Sequence, residues 1–160
     1  MCAIAGSINY KNYDLQSMLN ALYHRGPDEQ DIFYENNLAL LHTRLSIQDL
    51  LGGHQPFHLK QYSIVFNGEI YNHSHLRENY LKDSSFSSAS DSETLLYMYI
   101  KYGFDMFEHL DGMFAFAIVD REKNKLILAR DRAGKKPLYL YRENDSILFA
   151  SELNAIKAGV

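Results

Sequence analysis

Short runs of apolar residues, many alternating with polar ones, occupy both ends of the chain and predict β-strands there. Polar pairs such as Asn36-Asn37 separate neighbouring runs and predict turns. Asn67-Gly68 is predicted to end the strand before it, because Asn-Gly is a strong hairpin signal. The predicted strands cover residues 3–9, 32–34, 38–42, 62–66, 113–119, 125–129, 137–141 and 147–150.

Helical spacing of apolar residues marks the segments between these strands. In the segment 13–23 the apolar residues recur at intervals of three and four. Further helices are predicted at 72–81, 91–103 and 151–159, each beginning at a residue that favours an N-cap. Strands come first, helices follow in the middle, and more strands come after them. That order predicts an α+β fold with antiparallel sheets rather than alternating βαβ units.

Composition limits what this pattern can be. The 160 residues suit one domain, placed at 2–160, and 46% hydrophobic residues suffice for a core. The net charge of -4 offers no basic surface for nucleic acid or an anionic membrane. No apolar run reaches the roughly 18 residues of a membrane-spanning helix. The N-terminus lacks the basic region of a signal peptide, so a cytoplasmic location is expected.

Cys2 is the single cysteine of the chain, so it forms no internal disulfide and no thiolate-rich metal site. A lone cysteine is usually a small buried hydrophobic residue. Position 2 favours another interpretation, because removal of Met1 would leave a thiol and a free α-amino group on one residue. An α-amine titrates at about 7.7–8.0 and a thiol at about 8.5, so the amine is suited to accept the thiol proton. Cys2 is therefore a candidate nucleophile that carries its own base.

The seven histidines offer no comparable base, because none lies in a local sequence signature. His73 and His75 would lie on different faces of a helix and make a poor metal pair. We therefore predict no metal site in this chain.

Other polar residues could complete a site that hydrolyses the amide of a small amino acid. Asn67, through its side-chain N–H, and Gly68, through an accessible backbone N–H, are candidate oxyanion donors, and a simple turn is the alternative. Arg44 could bind an α-carboxylate through two parallel hydrogen bonds. Glu69 and Asp91 could bind an α-ammonium group. The alternatives are a surface ion pair for Arg44, a turn residue for Glu69 and a helix N-cap for Asp91.

An ordered series of motifs resembles the class II glutamine amidotransferases, and in particular their asparagine-synthetase branch. The series runs from residue 2 to about residue 158, and its order makes it far more specific than any single motif. The motifs are Met1-Cys2-Ala3-Ile4-Ala5-Gly6, His24-Arg25-Gly26-Pro27-Asp28, His42-Thr43-Arg44-Leu45-Ser46-Ile47, Asn67-Gly68-Glu69-Ile70-Tyr71-Asn72, Ser90-Asp91-Ser92-Glu93, Asp111-Gly112-Met113-Phe114-Ala115-Phe116-Ala117, Arg130-Asp131-Arg132-Ala133-Gly134-Lys135-Lys136-Pro137-Leu138-Tyr139 and Phe149-Ala150-Ser151-Glu152.

The resemblance implies an N-terminal-nucleophile hydrolase fold, an αββα four-layer sandwich of two antiparallel sheets between helix layers. It implies hydrolysis of L-glutamine to glutamate and ammonia through a thioester on Cys2, with the ammonia passed to a synthetase domain. No cofactor is implied for this domain, and ATP and Mg²⁺ are expected only in the synthetase domain. The implied residues are Cys2 as nucleophile, Asn67 and Gly68 as oxyanion hole, Arg44 with the backbone of Leu45, Ser46, Ile47 and Gln48 as carboxylate site, and Glu69 and Asp91 as ammonium site.

Three features depart from the family pattern. Gln48 stands where an aliphatic residue is usual, and Ala133 stands where leucine is common, which would loosen packing against a following domain. The chain also lacks the Ser-Gly-Gly-x-Asp-Ser pyrophosphate loop of a synthetase domain. We therefore expect either an N-terminal portion of a longer protein or a domain that acts with a separate synthetase partner.

Several alternatives stay open from the sequence. The ammonia acceptor is aspartate by the family default, or another carboxylate or a sugar. The domain is an active glutaminase, or a silent glutamine-binding or scaffolding module with Met1 retained. An N-terminal-nucleophile hydrolase for another amide is disfavoured by the paired clamps for a free amino acid. Residues 52–56 are expected to be part of a mobile glutamine loop, and a homodimer is compatible with these observations.

Overall fold

The computed structural model describes residues 2–46 and 53–160, which form antiparallel sheets and flanking helices. The strands are β1 (Ala3–Ile8), β2 (Glu29–Glu35), β3 (Leu38–Arg44), β4 (Phe57–Leu59), β5 (Tyr62–Ile70), β6 (Gly112–Asp120), β7 (Lys125–Arg130), β8 (Tyr139–Glu143) and β9 (Ser146–Ala150). The helices are α1 (Leu15–Leu22), α2 (His73–Tyr80), α3 (Asp91–Tyr102) and α4 (Leu153–Gly159), and short 3₁₀ helices span Tyr10–Asn12, Tyr23–Arg25 and Gly103–Glu108.

The described strands form two sheets with antiparallel neighbours. The first sheet has the order β2-β3-β1-β9-β8, and the second has the order β4-β5-β6-β7. β1 lies at the centre of the first sheet, between β3 and β9. Both of its faces are covered, which explains why its residues 3–6 are small or apolar without alternation.

Three apolar clusters show how the layers stack. The first cluster packs α1 and α4 on the outer face of the first sheet, and the second packs α2 and α3 on the outer face of the second sheet. The third cluster lies between the sheets and holds Ile4, Leu40, Val65, Ala115 and Phe149. The predicted α+β sandwich, with helices outside two antiparallel sheets, is confirmed.

The prediction that Asn67-Gly68 ends a strand is wrong. β5 runs on to Ile70, and Asn67 and Gly68 pair with Ala115 and Phe114 of β6. The turn signal of Asn-Gly is local, and the long pairing with β6 overrides it. The simple hairpin turn is thereby excluded for these two residues.

Smaller differences have similar causes. β4 escapes prediction because it has only three residues. The strand predicted at 137–141 begins at Tyr139, since the residues before it belong to a loop held by Asp131. Gly103 ends α3 as predicted, with a φ of 56° that favours glycine.

Asn72 was predicted as an N-cap, and it does precede α2, but its side chain makes no capping bond. The Asn72 side chain instead donates to the His109 carbonyl and accepts from the Asp111 N–H, at 2.8 and 3.1 Å. The residue therefore connects the start of α2 to the loop before β6.

No helix among residues 2–46 and 53–160 is long and apolar enough to cross a membrane.

His42 is a buried histidine on the inner face of the first sheet, opposite Ile4 in the register of β1 and β3. Burial lowers the pKa of His42 to about 3, although a hydrogen bond to the Phe66 backbone opposes this change. Its Nε2 atom has no hydrogen-bond partner within the described part of the chain. His42 is thus held neutral in the folded state.

Phe149 fills the layer between the sheets and is fully buried, whereas Leu140, its neighbour in the register of β8 and β9, is 61% exposed. We expect Phe149→Ala to lower the free energy of unfolding by about 3–5 kcal/mol, because it leaves a cavity in the core. Leu140→Ala serves as the matched control and should change it by about 0.5 kcal/mol or less. Urea unfolding measures both. Equal losses for the two variants would contradict this description of the core.

His42 should make the fold sensitive to acid. The unfolded chain binds a proton to this residue below its ordinary pKa of 6.5, whereas the folded chain does so only near 3. Its contribution to stability is therefore present at neutral pH and declines as the pH falls from 6.5 towards 3, by up to about 1.4 kcal/mol per pH unit.

The test compares the pH dependence of unfolding for the wild type and His42→Gln between pH 4 and 8. We expect the curve of the variant to be flatter below pH 6.5, whatever its stability at neutral pH. The exposed His75→Gln should keep the wild-type slope. Parallel curves for wild type and His42→Gln would show that His42 is protonated normally in the folded chain.

Candidate active site

The site lies at one rim of the layer between the two sheets. Residues at intervals of two along a strand share a face, so Cys2 lies on the face of Ile4, and Asn67 lies on the face of Val65. Cys2 comes from the first sheet and Asn67 from the second. They line one cavity of about 180 Å³, together with Arg44, Leu45, Gly53, Gln55, Phe66, Gly68, Glu69, Ser90, Asp91, Met113 and Lys136.

β4 pairs only with residues 62–64 of β5. Past that point the edge of β5 is open, and it provides backbone donors along one wall of this cavity. Phe66 N–H donates to Gln55 Oε1 at 2.6 Å, and Ile70 N–H donates to Asp91 Oδ2 at 2.9 Å. Alternate residues of a strand direct their N–H groups to the same side. Gly68 lies midway between these two donors, so its N–H faces the cavity.

Asp131 supports this orientation from the other side of β6. Phe114, which stands opposite Gly68, accepts from Asp131 N–H at 2.7 Å and donates to Asp131 Oδ2 at 3.2 Å. Because both polar backbone groups of Phe114 are directed towards Asp131, they do not bond to Gly68. Gly68 also approaches β6 closely, and a Cβ atom added to it would lie 2.1 Å from the Met113 carbonyl oxygen. Only glycine fits there without a shift of β6.

Asn67 carries a donor that suits a ligand. The residue is 2% exposed, and its Nδ2 atom has no hydrogen-bond partner among the residues that the structure describes. A buried donor of this kind is costly unless a ligand or water satisfies it. Asn67 Nδ2 and Gly68 N–H come from consecutive residues at the cavity, as two donors to one oxyanion require.

The backbone around Cys2 is fixed by neighbouring residues. Its thiol donates to the Leu45 carbonyl with a separation of 3.6 Å. Arg25 Nε donates to the Cys2 carbonyl at 3.2 Å, and Arg25 Nη1 pairs with Glu152 at 2.9 Å. Arg25 was not singled out from the sequence, although it lies in one of the quoted motifs.

Arg44 ends β3 inside the cavity and is only 3% exposed. Its Nη1 atom pairs with Glu29 Oε1 at 2.8 Å, and Glu29 Oε2 lies 2.9 Å from His54 Nδ1. Arg44 does form an ion pair, but its guanidinium is buried. The exposed surface pair considered as the alternative is therefore excluded. Glu29 orients the guanidinium, whose planar fork of donors is suited to a carboxylate.

Asp91 begins α3 and reaches the edge of β5. Burial raises the pKa of the Asp91 carboxyl, and the hydrogen bond from Ile70 N–H opposes this change. Ser90, not Asp91, is the N-cap of α3, because its side chain accepts from Ser92 N–H. The N-cap alternative for Asp91 is therefore wrong, and the carboxylate faces the cavity.

The serine-rich segment 84–90 is held beside Asp91 by hydrogen bonds. Glu93 accepts hydrogen bonds from the N–H and hydroxyl groups of Ser87 and Ser88, at 2.6 to 3.0 Å. Arg77 donates to the Ser88 and Ser90 carbonyls at 2.8 and 2.6 Å. These contacts fix the chain that enters α3 and therefore the position of Asp91.

The structure brings most of the predicted site residues together. Cys2, Arg44, Leu45, Asn67, Gly68, Glu69 and Asp91 all line the cavity. Ser46 is not among the lining residues, and its N–H donates to Asp28 Oδ2 at 2.7 Å. Ile47, Gln48 and Gly52 lie outside the described residues.

The other lining residues had no individual role assigned from the sequence, namely Gly53, Gln55, Phe66, Ser90, Met113 and Lys136. Gln55 belongs to the loop predicted as mobile, yet its side chain holds the Phe66 N–H. Lys136 lies within a quoted motif but had no assigned role, because its proximity to Cys2 depends on contacts over more than a hundred residues. Among the described residues, no group of three or more His, Cys, Asp or Glu side chains is arranged to bind a metal ion.

Comparison with known proteins identifies the family of this chain. A model of the glutamine amidotransferase domain family matches residues 1–160. Asparagine synthetase (glutamine-hydrolyzing) 3 of Bacillus subtilis is 38% identical over 99% of this chain, and asparagine synthetase B of Escherichia coli is 39% identical over 98%. The chain spans only 28% and 30% of the length of these two relatives.

A solved structure supports the fold independently. Glutamine phosphoribosylpyrophosphate amidotransferase from Bacillus subtilis superposes with a TM-score of 0.79 over 98% of this chain and 43% of its own, at 20% sequence identity. At that identity the likeness concerns the fold alone. On the family match and the curated relatives together, the chain belongs to the glutamine amidotransferase domain family.

Proposed function

We propose that this chain is the glutamine-hydrolysing domain of an asparagine-synthetase-like amidotransferase, with Cys2 as its nucleophile. The observation that carries the proposal is the convergence of Cys2, the two donors at Asn67 and Gly68, and charged clamps in one cavity. A thiol with oxyanion donors suits attack on a carbonyl carbon. Side chains of both charge signs suit the α-carboxylate and α-ammonium groups of a free amino acid.

Glutamine would be held by the two charged groups on its α-carbon. Its α-carboxylate would bind to the Arg44 guanidinium, beside the bond to Glu29. Its α-ammonium would bind to Asp91 and Glu69, and this cation would favour the ionised form of the Asp91 carboxyl, which burial disfavours. With both of these groups bound, the α-carbon is fixed and the side-chain carboxamide extends towards Cys2 and Asn67.

The reaction would begin after Met1 is removed. The α-amine of Cys2 accepts the thiol proton, and the sulfur attacks the carbonyl carbon (Cδ) of the glutamine side-chain amide. Asn67 Nδ2 and Gly68 N–H donate to the oxyanion that forms. The protonated α-amine of Cys2 then gives its proton to the leaving nitrogen of the amide. Ammonia departs and a thioester between Cys2 and the glutamyl group remains.

Hydrolysis of the thioester completes the cycle. A water molecule gives one proton to the α-amine and attacks the thioester carbon, and the sulfur then leaves with a proton as glutamate is released. Apart from glutamine and water, every chemical group that acts in the formation and hydrolysis of the thioester belongs to this chain. We expect ATP and Mg²⁺ to be needed only where a synthetase domain of the whole protein uses the ammonia, with aspartate or another carboxylate as its acceptor.

Substitutions test the nucleophile and the oxyanion donors. They are made in protein whose intact mass shows that Met1 has been removed. Cys2→Ala should abolish glutamate release from glutamine and leave the unfolding midpoint nearly unchanged. Asn67→Ala should lower kcat by about 10²–10³, the usual effect of losing one oxyanion donor. Asn79→Ala, on the exposed side of α2, is the control and should keep full activity.

A silent binding module would give a different result. Met1 would remain attached, the wild type would release no glutamate, and a glutamine-like electrophile would form no adduct with Cys2. That combination would overturn the proposed activity.

The ammonium site is tested by Asp91→Asn. The amide can still accept from Ile70 N–H, so the fold should persist, but the charge that pairs with the α-ammonium is lost. We expect KM for glutamine to rise by about 10-fold or more, with a smaller change in kcat, because a hydrogen bond to a charged group contributes about 1.5–3 kcal/mol. The exposed Asp83→Asn should leave both constants unchanged.

A substrate analogue sharpens this test. The monoamide of glutaric acid lacks the α-amino group, so the wild type should use it far less well than glutamine. In Asp91→Asn the values of kcat/KM for the two amides should lie closer together than in the wild type. If the variant discriminates between the two amides as strongly as the wild type, Asp91 does not bind the ammonium group.

A further inference from the structure

Lys136 is a buried cation in the same cavity as Cys2. The side chain is 5% exposed, although lysine is rarely buried without a charged neighbour. It lies in the loop between β7 and β8, far from Cys2 in sequence. Burial of an ammonium group is expensive, so its location in the cavity calls for a compensating interaction.

The loop is built to hold Lys136 in place. The Asp131 carboxylate accepts from the N–H groups of Lys135 and Lys136, both at 2.9 Å, and from Phe114 N–H at 3.2 Å. The last of these bonds ties the loop to β6, opposite Gly68. The backbone of Lys136 and the oxyanion strand therefore share one anchor.

The charged groups around Lys136 affect its protonation. Burial lowers the pKa of Lys136, and Arg25 acts in the same direction, whereas Cys2, Asp131 and Glu69 favour its protonated form. Lys136 and Cys2 line the same cavity, so the lysine ammonium lies in the surroundings in which the sulfur of Cys2 reacts. The titratable and charged groups that line the cavity or act on Lys136 are Cys2, Arg25, Arg44, Glu69, Asp91 and Asp131.

We propose that Lys136 supplies a fixed positive charge that favours the thiolate of Cys2 and the neutral α-amine beside it. Both effects promote the same step, since the thiol must lose its proton and the amine must be free to accept it. This role rests on the proposed glutaminase function and adds a positioning residue that acts through Cys2. Arg25 acts differently, because its guanidinium holds the Cys2 carbonyl and pairs with Glu152.

The test measures the thiolate directly, without glutamine. Cys2 is the single cysteine, so alkylation by iodoacetamide reports on it alone. The rate is followed from pH 5.5 to 9.5 in chain shown by intact mass to lack Met1. We expect Lys136→Met to move the midpoint of the rate profile upwards by roughly one pH unit, because a cation near a thiol has been removed.

Two variants separate charge from structure. Lys136→Arg keeps the cation and should leave the midpoint within a few tenths of a pH unit of the wild type. Lys135→Met removes an exposed cation one residue away and should leave the midpoint unchanged. If Lys136→Met does not fold, Lys136→Gln removes the charge while keeping a polar end, and its midpoint decides the question.

Glutamine kinetics then separate this inference from the proposed function. For Lys136→Met we expect kcat at pH 7 to fall by about 10-fold, as one pH unit of lost thiolate requires, with KM changed by less than about threefold. A higher KM with an unshifted alkylation profile would overturn the inference, because Lys136 would then act only by pairing with Glu69. A shifted profile in a chain that does not hydrolyse glutamine would support Lys136 and refute the glutaminase.

Discussion

Packing of the two sheets face to face is the constraint on which the site depends. The same two-residue period that places Ile4 and Val65 in the core places Cys2 and Asn67 at its rim. Arg44 follows His42 on the inner face of β3 by the same interval. A register slip of one residue in any of these strands would bury a polar group and turn a site residue away. Register in the core therefore specifies the geometry of the site.

The site also concentrates polar groups that weaken the fold. Asn67 Nδ2 is buried with no partner in the described part of the chain, and the pKa of the Asp91 carboxyl is raised by burial. Such groups cost stability when they are unpaired, and a ligand that pairs with them recovers that free energy on binding. Because they are fixed before the ligand arrives, they need little reorganisation during the reaction. The apolar clusters on either side of each sheet offset the loss.

Sequence patterns were sufficient for most elements, because strand alternation and helical spacing are local signals. They failed at Asn67-Gly68, where pairing with β6 decides the conformation and the local turn signal does not. The nucleophile and the charged clamps could be inferred from residue types and motif order. The role of Lys136 could not, because the residue reaches the cavity of Cys2 from a distant loop that Asp131 anchors. Residues whose roles arise from long-range contacts are the ones a single sequence conceals.

The distribution of charge in the cavity explains how an amide could be selected with little contact to the amide itself. Arg44 comes from the first sheet, whereas Glu69 and Asp91 lie along β5 and at the start of α3. A zwitterion held between these groups has its α-carbon fixed, so its side chain leaves the α-carbon in a defined direction. A side chain as long as that of glutamine then brings its amide carbonyl to Cys2, Asn67 and Gly68 together, whereas a shorter side chain does not reach them. Under the proposed function, selectivity for glutamine is therefore a consequence of the spacing between clamps and nucleophile.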